Sequence, residues 1–172
     1  MDEGLEGLIP SRKSFTAFTG HGSGRYIRTQ GTQVIYTQSI DWKTFYGELD
    51  RALREMAAER FDAIAAIAQG GVIPAAILQQ EWGIPLSIIR INYRDNENKP
   101  RFDDAQLLEE GPIPYAGKKV LLVDDVSRTG RTLARAREYL NGNSVRTFLV
   151  NGKADYRLFD TEECLRMPWK RD

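Results

Sequence analysis

Four short apolar-rich runs constrain this chain more than anything else in it: Ala63–Ala68 (AIAAIA), Leu86–Asn92 (LSIIRIN), Lys119–Val123 (KVLLV) and Val145–Val150 (VRTFLV). AIAAIA is apolar without a break, as expected of a strand covered on both faces. Helical patterns lie between the runs. Ser39–Phe61 repeats Trp42, Phe45, Tyr46, Leu49, Leu53, Met56 and Ala57 at three- and four-residue spacing, and Ser39 or Asp41 can cap its start. Its aromatics read as core. Val72–Trp82 is helical, with Pro74 tolerable in the first turn and Gly83 as the stop. Gly130–Leu140 is a third helix, closed by Asn141-Gly142-Asn143. Strands alternating with helices imply βαβ units, hence an α/β fold with a mostly parallel central sheet flanked by helices. Ligands bind beyond the carboxyl ends of such strands. Two loops of unusual composition lie there, Gln69–Gly71 and Asp124–Thr132.

The rest of the chain is less regular. At 172 residues it fits one domain. Met1 to about Gln30 carries little pattern, and Thr32–Thr37 alternates like a short strand, so residues 1–35 are expected to form an extension and 36–172 the domain. The HGSGR run at His21–Arg25 follows no apolar strand and reads as a plain turn. Tyr93–Gly117 is polar and long for a loop, a length that favours a functional flap. Asn151–Asp172 reads as an irregular tail with apolar anchors.

Charge and composition remove several classes of function. Lys+Arg and Asp+Glu number 24 each, which argues against a nucleic-acid-coating protein. A single cysteine, Cys164, cannot form an internal disulfide, and a single histidine, His21, leaves no multi-His zinc site. The most apolar region, Phe61–Leu78, is interrupted by Asp62, Gln69, Gly70, Gly71 and Pro74, so no membrane span is expected. The acidic start is unlike a signal peptide, and the expectation is a soluble cytoplasmic protein.

The string that carries chemistry is Val120–Leu133, VLLVDDVSRTGRTL. Apolar residues bury a strand, two carboxylates emerge at its end, and a Ser/Thr/Gly turn runs straight into a helix. Backbone N–H groups, hydroxyls and the positive helix end then converge on one point, which suits a phosphate. The adjacent carboxylates suit ribose hydroxyls and a divalent cation. No G-x-x-x-x-G-K is present, so this is not a Walker A loop.

This string resembles the phosphoribosyl-pyrophosphate signature of type I phosphoribosyltransferases: an apolar run, two acids, then a turn ending T-G-x-T. Ala66–Ala76 (AIAQGGVIPAA) is similar to the pyrophosphate loop of purine salvage enzymes, and Asn92–Pro114 sits where that family has its mobile catalytic loop. Lys153 matches the lysine that reads the exocyclic oxygen of 6-oxopurines. Cys164–Trp169 resembles the base-covering segment of bacterial xanthine-guanine enzymes. The resemblance implies a Rossmann-like type I fold with a small hood from the terminal segments. It also implies transfer of the phosphoribosyl group from phosphoribosyl pyrophosphate to a nucleobase, with Mg²⁺ as cofactor, a homodimer or tetramer, and neither nucleic acid nor membrane as partner.

Matching positions give the implied roles. Asp124 and Asp125 hold the ribose hydroxyls, with Asp125 beside Mg²⁺. Ser127, Arg128, Thr129, Gly130, Arg131 and Thr132 hold the 5′-phosphate. Gln69, Gly70 and Gly71 hold pyrophosphate. Lys153, Cys164 and Leu165 form the base site, with Val150 as further lining. Four positions depart from the family pattern. Arg128 stands where the closest purine enzymes carry an acid near the purine N7, and an arginine cannot act as a base. Gln69 replaces a cation. Cys164 replaces a stacking aromatic, whose part would fall to Tyr156, Phe159 or Trp169. Lys170 replaces an acid. Three readings stay open: a purine-type transferase with Asp124, Asp125 and Arg128 at the catalytic centre, a donor-binding regulator without transfer activity, and a transferase for a non-purine acceptor.

Overall fold

The computed structural model describes residues 26–29, 32–92, 105–108 and 116–170. The His21–Arg25 run and most of the 93–117 loop lie outside the described residues. In chain order the elements are β1 (Tyr26–Thr29), β2 (Thr32–Ile35), β3 (Gln38–Ser39), α1 (Trp42–Met56), β4 (Ala63–Ala68), α2 (Val72–Trp82), β5 (Leu86–Asn92) and β6 (Gln106–Leu107). They continue as β7 (Lys119–Ser127), α3 (Arg131–Tyr139), β8 (Ser144–Gly152), β9 (Tyr156–Phe159) and β10 (Leu165–Arg166).

The six-stranded central sheet has the order β6-β5-β4-β7-β8-β9, parallel throughout except for β6, which runs antiparallel on β5. From β4 the chain moves outward to β5, then returns to place β7 on the other side of β4. The switch point therefore lies between β4 and β7, where open parallel sheets bind ligands. Alternation within the strands sorts two cores. Ile64, Ala66, Leu121, Val123, Phe148 and Val150 pack with α1 and α2. Ala63, Ala65, Ile67, Val120, Leu122 and Leu149 pack with Leu133 and Ala136 of α3. Helices thus cover both faces, which is why these strands read as apolar runs.

Local chemistry sets the helix ends. Asp41 caps α1 by accepting from the Thr44 amide at 2.7 Å. Hydrogen bonding from the Thr44 amide first, and from its hydroxyl second, holds the Asp41 carboxyl below its ordinary range. The helix is shorter than its apolar pattern, stopping at Met56. It buries Phe45, Leu49, Ala52 and Met56, while Trp42 and Tyr46 remain 43% and 45% exposed. Those two aromatics are surface residues rather than core: Trp42 stacks on Tyr46 and packs against Trp169. At the end of α2, Gly83 takes the left-handed conformation (φ 64°) that a C-terminal cap needs, and its amide donates to the Gln79 carbonyl at 2.8 Å.

Two further expectations change. β7 does not end at Val123 but runs through both acids to Ser127, because its ladder with β8 continues to Ser127↔Gly152. The segment after β8 is not an irregular tail: β9 forms the far edge of the sheet. Parallel strands ordinarily need a crossover of about a dozen residues, yet only Lys153, Ala154 and Asp155 join β8 to β9. Asp155 anchors that link, its Oδ2 accepting from the Thr147 amide (2.8 Å) and hydroxyl (2.7 Å). Beyond β9, β10 pairs in parallel with β3, so the terminal segments close on each other as a small hood.

Candidate active site

The switch point brings two sequence-distant loops into contact. β4 ends at Ala68, the Ala68–Gln69 peptide is cis, and the turn Gln69-Gly70-Gly71 leads into α2. β7 delivers Asp124 and Asp125 to the same place. The backbone fits so closely that a β-carbon on Gly71 would lie 2.2 Å from the Val123 carbonyl oxygen. One on Gly70 would lie 2.1 Å from Asp125 Oδ1. Glycine is thus required at both places by contact rather than by dihedral angle. The Gly71 amide donates to the Ile67 carbonyl (2.8 Å), so an anion grip at this turn falls to Gln69 and Gly70.

The carboxylates are pinned by their own backbone. The Asp125 amide donates to Asp124 Oδ1, and the Val126 amide to Asp125 Oδ1, each at 2.8 Å. Asp124 is 7% exposed. Burial first, and the neighbouring charge of Asp125 second, push its carboxyl well above the usual range. A cation or a ring of donor hydroxyls beside the pair would relieve that cost. The described residues hold no cluster of three or more His, Cys, Asp or Glu able to form a metal cage. One or two carboxylates completed by substrate oxygens and water are the usual Mg²⁺ arrangement, so the residues present fit that ion.

After Ser127 the chain turns through Arg128 and Thr129 to Gly130, whose φ of 73° starts α3. No side chain caps the start of α3, the kind of helix end that suits an anion. Ser127, Arg128, Thr129 and Gly130 line a cavity of about 760 Å³ with Val126, Asn151, Gly152, Lys153, Asp160, Thr161 and Glu162. Lys153 reaches this cavity because Gly152 (φ 125°) approaches the end of β7 closely; a β-carbon there would lie 2.5 Å from the Ser127 carbonyl oxygen.

Other expected residues are placed differently. Leu165 and Val150 are buried in the α1–α2 core and do not line the cavity. Among the described residues none of the three stand-in aromatics lines it either. Trp169 packs on Phe45 and Trp42, Phe159 joins the core, and the Tyr156 hydroxyl donates to Glu59. Cys164 does reach the site's edge: Arg128 Nη2 lies 2.7 Å from its Sγ.

Asn151 was not singled out by sequence. It is 3% exposed, and its Nδ2 donates to the carbonyls of Thr161 (3.1 Å) and Glu163 (3.3 Å). Its Oδ1 accepts from the Thr161 amide (3.1 Å). One side chain thereby holds the 161–163 turn as the cavity wall. The available signal was a polar residue closing an apolar run.

The architecture is that of the type I phosphoribosyltransferase fold: a mostly parallel α/β sheet flanked by helices, with β7 running through a short turn into α3. The crystal structure of a purine phosphoribosyltransferase from Pyrococcus horikoshii Ot3 shares it, with a TM-score of 0.66 over 78% of this chain and 94% of that one. At 24% identity the likeness concerns the fold alone. The family model for the phosphoribosyl transferase domain matches residues 41–168, and the chain belongs to that family.

The chain is 34% identical over 107 residues to a xanthine-guanine phosphoribosyltransferase from Idiomarina loihiensis, covering 59% of this chain and 63% of that protein. It is 31% identical over 128 residues to an orotate phosphoribosyltransferase from Sulfurisphaera tokodaii, covering 72% and 61%. Both matches thus span less than two thirds of the relative's own length.

Proposed function

We propose that this chain is a purine-type phosphoribosyltransferase. The observation that carries the reading is the contact between the Gln69–Gly71 turn and the Asp124–Asp125 pair across the switch point, beside the uncapped start of α3. That contact supports a reading in which the turn grips pyrophosphate, the acids accept from ribose hydroxyls and the loop that follows them on β7 holds a phosphate.

In the proposed reaction the acceptor nitrogen bonds to C1′ of phosphoribosyl pyrophosphate as the C1′–O bond to pyrophosphate breaks. Pyrophosphate leaves with the electron pair, the acceptor's N–H proton passes to solvent, and a nucleoside 5′-monophosphate results. Ser127–Thr132 hold the 5′-phosphate on backbone amides and hydroxyls. Asp124 and Asp125 accept from the ribose hydroxyls. The amides of Gln69 and Gly70 hold the leaving group, and Lys153 donates to an oxygen on the base. Mg²⁺ would be held by Asp125 with donor oxygens, and when bound it supplies charge neutralisation of the pyrophosphate. A cytoplasmic setting and a homo-oligomeric form belong to the same reading through the family resemblance; among the described residues no helix is long and apolar enough to cross a membrane.

A second reading, transfer to a pyrimidine, is favoured by Arg128, which stands where a purine enzyme would carry an acid. The deciding experiment mixes protein, Mg²⁺ and phosphoribosyl pyrophosphate with a panel of bases and follows pyrophosphate release. Turnover with a purine is the expected result. Turnover confined to pyrimidines supports the second reading, and tight donor binding without turnover on any base identifies a regulator instead.

A further inference from the structure

The span from β8 to β9 is short for strands that run parallel. Tyr156, the first residue of β9, pairs with Phe148, so the chain must travel back along β8 from Gly152 to the level of Phe148. That retreat covers roughly 13 Å at about 3.3 Å per residue. Lys153, Ala154 and Asp155 have to bridge it. The steps from Gly152 to Tyr156 span no more than about 13–14 Å when fully extended. The link is therefore drawn nearly straight, and Lys153 stands where the two ends of the link are fixed. Gly152 fixes one end by its close approach to the Ser127 carbonyl.

Asp155 fixes the other. Thr147 precedes Phe148 and Asp155 precedes Tyr156, so the two stand level where the pairing begins. The bonding between them is reciprocal. The Thr147 hydroxyl donates to Asp155 Oδ2 (2.7 Å) and accepts from the Asp155 amide (3.1 Å), and the Thr147 amide donates to Oδ2 as well (2.8 Å). Arg146 Nη1 donates to Oδ1 at 3.1 Å, and Arg137 Nη2 of α3 donates to Oδ2 at 3.2 Å. One carboxylate thus ties the link to β8 and to the helix that follows the Ser127–Gly130 turn. Thr147 is 2% exposed, which sets its side of the anchor in the packed interior. Lys153 lines the 760 Å³ cavity and Asp155 does not, so an effect of Asp155 on that cavity passes through the link.

We infer that Asp155 is a positioning residue for the acceptor, holding the extended link so that Lys153 faces the base. The inference rests on the transferase reading and deepens it. Lysine carries its charge on a flexible stem, so its aim depends on where its Cα is held. Releasing the Asp155 end lets the link relax, and the ammonium then misses an oxygen that it would otherwise meet. On the same reading the donor is held at Gln69–Gly71 and Ser127–Thr132, and the hydrogen bonds of the Asp155 carboxylate go to neither.

The test uses the full chain with Mg²⁺, phosphoribosyl pyrophosphate and the base that it turns over best. Thr147→Val removes the hydroxyl and keeps the branched shape, whereas Thr147→Ser keeps the hydroxyl. Asp155→Asn is run beside them. Asp155→Asn and Thr147→Val should each raise acceptor KM at least about five-fold while donor KM moves less than about two-fold. Thr147→Ser should stay within about two-fold of the parent for both substrates. Lys153→Met removes the ammonium and should weaken acceptor use by itself. Adding Asp155→Asn to it should then lower acceptor kcat/KM by less than about two-fold more, because the two residues act through one contact.

Equal rises in acceptor and donor KM overturn the inference, and so does an unchanged acceptor KM. Losses for Asp155→Asn and Lys153→Met that multiply in the double variant overturn it as well, for Asp155 would then act on stability alone. If Asp155→Asn does not fold, the Thr147→Val and Thr147→Ser pair decides by the same split. All of these results leave the transferase reading standing. A parent that binds the donor but turns over no base overturns that reading instead, and calorimetric titration of bases into the donor-loaded chain then makes the same comparison. A parent that binds no base at all overturns both.

Discussion

The Gly70 backbone lies directly against the Asp125 carboxylate, close enough that any β-carbon at residue 70 would occupy the space of Oδ1. Its neighbour Gly71 abuts main chain instead, the Val123 carbonyl and the Asp124 Cα. Two adjacent glycines therefore guard different things, one the position of a side chain and the other the spacing of two strands.

Substituting them should separate function from stability. In Gly70→Ala the carboxylate must give up its bond from the Val126 amide while the backbone stays in place, so the melting temperature should fall by only about 2–4 °C. Mg²⁺-dependent binding of phosphoribosyl pyrophosphate, followed by calorimetry, should weaken at least about ten-fold. Gly71→Ala has no side chain to displace. It should destabilise by about 1–3 kcal/mol or more, as overpacking does. Equal melting temperatures for the two variants would contradict the assignment.

Asn151→Ala removes the side chain that, among the described residues, ties the 161–163 turn to β8. The half-buried carbonyls and amide it serves lose partners, which costs about 1 kcal/mol. On the proposed reading, acceptor KM should rise more than donor KM, since the Asn151 side chain bonds the 161–163 turn and not the Ser127–Gly130 turn. Steady-state kinetics with each substrate varied in turn checks the split. A rise in donor KM alone would refute a role in the acceptor wall.

Asp155 should give stability an acid-side dependence. Burial raises its carboxyl, but hydrogen bonds from the Thr147 hydroxyl and amide, then Arg146 and Arg137, outweigh this and leave it below the ordinary range. A depressed folded value means that its contribution is fully present above the unfolded value of roughly 4. The contribution then fades as pH falls through the folded value. The stability gap between the parent and Asp155→Asn should be constant above about pH 5 and shrink below about pH 4. Urea denaturation at stepped pH measures it, and a gap that widens in acid would reverse the sign.

Gly152→Ala tests how Lys153 is delivered. The residue combines a positive φ of 125° with a prospective 2.5 Å contact to the Ser127 carbonyl. Strain of this kind costs about 1–3 kcal/mol, or roughly 2–12 °C in a chain of this size. Relief requires the β7 and β8 ends to part, so both substrates should bind less well. Retained melting temperature and retained donor affinity together would exclude the close approach.

Much of this was readable beforehand, for identifiable reasons. Ala63–Ala68 and Val120–Val123 announced central strands because helices cover both their faces. Gly83 stops its helix as read, by a backbone requirement local to the sequence. What escaped depended on partners far along the chain. Asp124–Ser127 looked like loop because polar residues are poor strand signals, yet the ladder to β8 overrides local preference. β9 has only Tyr156–Phe159 to declare itself, and its place at the sheet edge follows from a connection too short to be anticipated. Trp42 and Tyr46 fit the helical stripe but lie at its margin, where the hood rather than the sheet is the neighbour.

The short β8–β9 link has a consequence for how such a protein can diversify. On the proposed reading the donor is held mid-sheet, at the ends of β4 and β7, strands packed on both faces. On the same reading the acceptor wall is the stretch after the edge strand, residues 160–162, bonded to Asn151. Mutations there sample new ring shapes with little structural debt, whereas the sugar-phosphate half tolerates almost none. A lineage built on this plan would be expected to hold its donor fixed and to drift in what it decorates.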